Sequence, residues 1–338
     1  MRQFEYVRAE QVADALQAKS APATRFIAGG TNLVDLLKYG VEQPARLVDI
    51  TRVPALDRIE ATEKGGLRIG ALVTNARAAH DARIERDYPL LSSAILAGAS
   101  PQLRNAATTG GNLMQRTRCY YFYDPSTPCN KRAPESGCGA IGGINRIHAI
   151  LGASEHCIAT HPSDMCVALA ALDATVQVGS ASGERSIPIG DFHRLPGDRP
   201  EVDTTLGTDE IILAVDLPAE TFGTHYSYLK VRDRASYAFA LVSVAAALRL
   251  DGGRITAARI ALGGVAHKPW RVPEAEAVLL DTAPDADNFD RAASLLLRDA
   301  RGQGSNDFKI DLARFTIRRA LAQAAAGTPQ SNTDKRIV

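Results

Sequence analysis

Thr108-Thr109-Gly110-Gly111-Asn112, then Cys119, Cys129, Cys138 and Cys157, then His161-Pro162-Ser163-Asp164-Met165: this succession, within residues 99–165, decides how the rest of the chain is read. Between the two ends, Asp124-Pro125-Ser126-Thr127-Pro128, Pro134-Glu135-Ser136-Gly137 and Gly142-Gly143 are turn-forming, so neither helix nor strand can run far. A stretch of about forty residues with so little periodic structure is functional, disordered, or clamped by something other than apolar packing. Four of the five cysteines lie in it and could be that clamp. Their pattern, C-x9-C-x8-C-x18-C, lacks the short spacing of zinc ribbons and ferredoxins. On ligand type alone, tetrahedral zinc and an iron–sulfur cluster stand equal, with disulfides or unligated buried thiols a third reading. Cys166 falls in the apolar run Met165–Leu172 and reads as core.

Working outward, Glu10–Ala18 has one apolar face and predicts a short helix. Thr24–Ala28 predicts a strand that stops at Gly29-Gly30-Thr31-Asn32; Leu33, Leu36 and Leu37 then recur at helical spacing, and Arg46–Ile50 is a second strand. Residues 24–50 therefore form a small βαβ unit with parallel pairing. Leu67–Ala71 is a strand, and helices are expected over 74–82, 89–99 and 163–172. Thr175–Val178 and Arg185–Ile189 flank a hairpin turn, residues 192–207 are a polar loop, and Glu210–Leu217 is a strand. A boundary near 218–224 precedes β-rich runs at Thr224–Val231, Ala238–Leu250 and Ile255–Leu262. Helices follow at Glu274–Leu280, Asp287–Leu297 and Ile310–Ala325, with Gly327 as a stop and a loose polar tail over 328–338. Strands followed by helices make the second domain, and the chain overall, α+β.

A length of 338 residues suggests about two domains. The net charge of +1 and the lack of a basic run exclude nucleic-acid and membrane-surface partners. The start lacks an apolar signal core, and no run approaches the ~18 apolar residues of a membrane span. No address is carried, which reads as cytoplasmic, or as periplasmic if the chain travels with a signal-bearing partner.

The turn at Gly29-Gly30-Thr31-Asn32 joins a strand to a helix N-terminus, where unpaired N–H groups and the helix dipole favour an anion; glycine could equally serve the turn alone. Thr109-Gly110-Gly111-Asn112-Leu113 repeats the pattern, and two such turns can hold two phosphates. Neither is a G-x-G-x-x-G fingerprint, which weakens a Rossmann reading. Asp164 reads first as a helix-start residue and second as an acceptor for sugar or ribityl hydroxyls.

Ala28-Gly29-Gly30-Thr31-Asn32-Leu33, Arg104–Asn112, Pro162-Ser163-Asp164, Tyr228–Tyr237 and Gly263–Arg271 occur in an order that resembles the FAD-binding subunit of molybdenum hydroxylases, the xanthine dehydrogenase and carbon monoxide dehydrogenase family. Within it the chain most resembles the FAD/[4Fe–4S] subunit of bacterial heterotrimeric aldehyde oxidoreductases, cysteine insertion included. The resemblance implies a PCMH-type FAD-binding domain over 1–220, with a small βαβ lobe, a larger mixed lobe and an iron–sulfur insert at 115–158, then a smaller α+β domain over 221–327. It implies that Ala28, Gly29, Gly30, Thr31, Asn32 and Leu33, with Thr109, Gly110, Gly111 and Asn112, embrace the pyrophosphate and ribityl chain of FAD. It also implies that Asp164 binds flavin hydroxyls, that Lys230 reaches the flavin, and that Cys119, Cys129, Cys138 and Cys157 hold a [4Fe–4S] cluster.

Arg116, Arg118, Lys131, Arg132 and Arg146 would offset the charge of such a cluster; the alternative is that they are solvated loop charges. His267 and Trp270 read equally as packing or as part of a partner interface. The implied function is electron transfer: a large molybdenum-cofactor subunit hydroxylates an aldehyde, a small subunit with two [2Fe–2S] clusters relays electrons, and FAD here delivers them to an external acceptor. No side chain of this chain need act as acid, base or nucleophile. The rival readings are the flavin subunit of a related hydroxylase or aromatic acyl-CoA reductase and, from another class, a zinc-clamped binding module.

Overall fold

Leu47 and Val48, both buried, sit at the centre of a three-stranded parallel sheet in the computed structural model, which describes residues 1–331. Its strands are β1 (Glu5–Arg8), β2 (Thr24–Ile27) and β3 (Arg46–Asp49), in the order β1-β3-β2. The helix Leu33–Lys38 crosses between β2 and β3 and completes the expected βαβ unit. No period in the sequence announces β1, an almost wholly exposed strand with no apolar alternation, which exists because β3 pairs on both sides.

A five-stranded antiparallel sheet follows. It contains β4 (Ile59–Ala61), β5 (Leu67–Gly70), β6 (Thr175–Ser180), β7 (Gly183–Pro188) and β8 (Ile211–Leu217), in the order β4-β5-β8-β6-β7. Its core includes residues of the helices Pro89–Ala97 and Asp164–Ala171. Every residue of the second helix is buried, as the unbroken apolar run Met165–Ala171 requires.

The third sheet, β9 (Tyr226–Val231), β10 (Val242–Asp251) and β11 (Arg254–Gly263), is antiparallel in the order β11-β10-β9. β10 begins four residues later than its apolar run predicts, since Ala238–Leu241 belong to the loop after β9. The helix Phe308–Ala326 contributes Ala313, Ile317, Ala320, Leu321 and Ala324 to the same core and stops at Gly327 in the left-handed conformation. The buried helix Asp164–Ala171 comes so close to β11 that a side chain on Gly263 would collide with Val167. Tyr228, Ala245, Ala247 and Ala261 of the third sheet share the core of the five-stranded sheet.

Residues 114–162 are mostly turns around one short helix, Tyr120–Tyr123, as expected. The polar tail expected from residue 328 lies, from 332 onward, outside the described residues. Among the described residues no helix is long and apolar enough to cross a membrane.

Candidate functional site

The two glycine turns meet. Gly29 lies so close to the carbonyl oxygen of Ala106 that a Cβ there would collide with it, and Ala106 ends the short helix leading into the second turn. The second turn is fixed to the segment just after β5 by Thr109 N–H to Val73 O (2.9 Å) and Gly110 N–H to Ala71 O (2.8 Å). Between the turns opens a cleft of about 450 Å³, lined by all of Ala28–Leu33 together with Thr108, Gly110 and Gly111.

Among the described residues, no protein acceptor takes the backbone N–H groups of residues 28–33. Gly30 turns the chain with φ +69°, which a side chain would strain. Such a row of free amides at the start of a helix suits an anion. The second turn differs, because Thr108 receives the N–H groups of Gly111 and Asn112 on its side chain and its carbonyl. It therefore offers glycine surface rather than amides. Thr109 and Asn112 lie behind the surface: Thr109 Oγ1 donates to Val73 O, and Asn112 Oδ1 accepts from Ser163 Oγ at 2.6 Å.

His161 and His193 also line the cleft, and no motif singled them out. His161 Nε2 and His193 Nδ1 are buried without a partner among the described residues. His193 Nε2 is 2.9 Å from Leu113 O, and since a carbonyl only accepts, Nε2 bears the proton and Nδ1 is an acceptor. Burial lowers both imidazole pKa values, to about 4 for His193 and well below the usual range for His161, so both rings are neutral near pH 7. With Cys166 they form a group whose ligand atoms lie within 4.8 Å of one another.

Asp164 and Lys230 pair with each other, and neither is among the residues that line the cleft. Lys230 Nζ is 2.7 Å from Asp164 Oδ2, with both side chains less than a tenth exposed. Tyr228 donates its hydroxyl to Asp164 Oδ1 at 2.6 Å. Lys230 and Arg232 each donate to Ala97 O, at the C-terminal end of the helix Pro89–Ala97, where the helix dipole favours cations.

All four predicted cysteines line one small cavity beside the cleft, as free thiols. Cys129 and Cys138 face each other across a lone antiparallel bridge. His148 Nε2 lies 3.1 Å from Cys119 Sγ, and His267 Nε2 lies 3.3 Å from Cys157 Sγ. Burial pushes the Cys119 thiol up to about 12 and that of Cys157 to about 11, so without a metal these sulfurs keep their protons. Cys166 is fully buried in its helix, as read.

Of the five nearby cations only Lys131 lines the thiol cavity. Lys131 and Arg116 both pair with Asp203, and Arg116 also with Glu42. Burial alone would raise the Asp203 carboxyl, but the charges of Lys131 and Arg116 outweigh it and hold the carboxyl well below the usual range. Arg132 braces the carbonyls of Tyr121 and Phe122, and Arg146 pairs with Asp233 at the surface. Asp203, in a loop read only as polar, is thus part of the site. The cleft and the thiol cavity share Thr117 and Lys131 in their walls.

Residues 2–220 match the family described as the FAD binding domain in molybdopterin dehydrogenase, and residues 226–324 match the CO dehydrogenase flavoprotein C-terminal domain. The chain is 52% identical over 328 residues to the aldehyde oxidoreductase FAD-binding subunit PaoB of Escherichia coli K12, covering 96% of this chain and 99% of that one. It is 33% identical to the glyceraldehyde dehydrogenase medium chain of Sulfolobus acidocaldarius, over 81% of this chain and 80% of the relative. Among solved structures, quinoline 2-oxidoreductase of Pseudomonas putida 86 superposes with a TM-score of 0.74 at 27% identity, over 97% of this chain and 98% of that one. Carbon monoxide dehydrogenase of Hydrogenophaga pseudoflava gives 0.76 at 25% identity, over 96% and 98%.

Proposed function

The chain belongs to the FAD-binding medium subunits of molybdenum hydroxylases of the xanthine dehydrogenase type, an oxidoreductase family, and from that premise we propose that it is the electron-transfer flavoprotein of an aldehyde oxidoreductase. In this reading a large molybdenum-cofactor subunit oxidises the aldehyde, a small subunit with two [2Fe–2S] clusters relays the electrons, and this chain hands them to an external acceptor. FAD, when bound, supplies the exchange between one-electron and two-electron chemistry.

The chain's own residues bind and orient. The amides of Ala28, Gly29, Gly30, Thr31, Asn32 and Leu33 would receive the pyrophosphate, and Gly110 and Gly111 leave room beside it. His193 Nδ1, an acceptor, suits a cofactor hydroxyl, whereas His161 Nε2 could donate to an oxygen. Thr109 and Asn112 hold the second turn in place, and the Asp164–Lys230 pair fixes the adjoining helix to the third sheet. The single observation that carries the reading is a row of unpaired amides opening on a cleft of about 450 Å³.

We read the four thiols, which line one cavity, as ligands of a [4Fe–4S] cluster rather than of zinc. Four sulfurs at about 2.3 Å from a tetrahedral zinc lie about 3.8 Å from one another. Among the described residues the group of three ligand atoms within 4.8 Å is His161, Cys166 and His193, not any three of the four thiols. A cubane cluster spaces its ligands more widely and accepts all-thiolate ligation.

The test is chemical. Protein purified from riboflavin- and iron-replete cells is expected to release FAD on denaturation and to contain iron and acid-labile sulfide. A colourless chain would overturn the flavin reading, and zinc in place of iron would overturn the cluster.

A further inference from the structure

Two imidazoles touch the thiols, and neither follows from the ligand set. His148 comes from within the cysteine segment, and its backbone carbonyl is gripped by Lys309 Nζ (2.7 Å) and Asn306 Nδ2 (3.1 Å) from the C-terminal part of the chain. His267 comes from the loop after β11, beside Val265 and Ala266, whose carbonyls accept from Ile150, Leu151 and His161. Each ring presents Nε2 to a cysteine sulfur, and each Nδ1 is buried without a partner among the described residues.

This arrangement has two tautomeric solutions, and only one of them is inexpensive. If the sulfur keeps its proton and donates it to Nε2, the ring proton sits on Nδ1 and an unpaired N–H is buried. A sulfur bound to iron has no proton and can only accept. The ring proton then belongs on Nε2, and Nδ1 is left as a bare lone pair, the less costly group to leave unpartnered. Both imidazoles are thus placed as Nε2–H donors to the two sulfurs, and a metal-bound sulfur would be the stronger acceptor.

We propose that His148 and His267 are positioning residues for the cluster, each donating its Nε2–H to a ligand sulfur, of Cys119 and Cys157 respectively, and together raising its reduction potential. The inference rests on the reading that the four thiols hold a cluster. Adding one electron to the cluster increases the charge on the sulfurs, so both N–H···S bonds strengthen on reduction and favour the reduced form. His267 also lines the flavin cleft, which places one of the two donors on the wall between the centres.

The test is an EPR-monitored redox titration of the full-length chain with its cofactors bound. His148→Phe and His267→Phe keep a ring and remove the donor; each is expected to lower the cluster midpoint potential, and the double variant to lower it further. His267→Gln restores an N–H and is expected to recover most of the loss, which a merely structural role would not do. Because a variant can lose its iron, pulsed EPR of the unaltered protein supplies a second readout: nitrogen and exchangeable-proton couplings from the two rings. An iron-loaded variant with an unchanged potential, or the absence of those couplings, overturns the inference and leaves the cluster standing. Unaltered protein without iron and sulfide overturns both.

Discussion

Gly29 has space for hydrogen and nothing larger, because Ala106 O stands where a Cβ would go. Gly29→Ala is therefore expected to cost about 1–3 kcal/mol of stability by overpacking. It should also part the two turns and lower the FAD retained per chain, measured as flavin absorbance against protein concentration. Lys309 makes a different prediction. Burial lowers its ammonium pKa from 10.5 to about 7. Between those values the unfolded chain binds the proton that the folded chain has released, so this residue makes stability rise with pH across that window and level off below about 7. Lys309→Met is expected to flatten the rise, read from denaturation midpoints at a series of pH values. At this scale the glycine turns were legible, since a strand, paired glycines and a helix leave few other conformations. His161, His193 and Asp203 were not, because a single histidine or aspartate carries no pattern until folding sets it beside a cleft.

The helix Asp164–Ala171 is the element that holds the parts together, being buried along its whole length and tied to β9 by the Asp164–Lys230 pair. Removing one member of so buried a pair leaves the other charge without compensation. Lys230→Met is expected to cost about 3–5 kcal/mol in a denaturant titration, and the double variant with Asp164→Asn to recover a large part of it. The helix itself was readable as an apolar run after a serine cap, and Ser163 does accept from Cys166 N–H at 3.0 Å. Its partner was not readable as a partner. Asp164 reads on its own as a helix-start residue, and nothing local says that a lysine on one strand will meet an aspartate 66 positions earlier. The edge strand β1 is silent in the sequence for the opposite reason: its exposed side chains give no period, and its existence depends on β3.

For the molecule as a whole, the order of strands and helices identified an α+β chain with a βαβ start and a β-rich second half, because periodicity survives in a sequence. What the sequence did not display is how thoroughly the later sheet enters the earlier one's core, through Tyr228, Ala245, Ala247 and Ala261. Nor did it display the C-terminal lysine that grips a carbonyl in the cysteine segment. These contacts join residues far apart in the chain and leave no local trace. Asn32 makes the same kind of bridge on a smaller span: its amide accepts from Arg116 N–H at 2.9 Å and donates to the Tyr123 hydroxyl at 3.2 Å, bolting the amide-bearing turn onto the thiol segment. If the thiols hold the proposed cluster, a bolt of this kind makes flavin loading depend on the folding of the cysteine segment around it. Cells starved of iron should accumulate a chain deficient in flavin as well, and re-feeding iron should bring back yellow colour only after the brown. A culture series sampled through such a recovery would show the sequence directly, and simultaneous or reversed recovery would mean that the two centres mature independently.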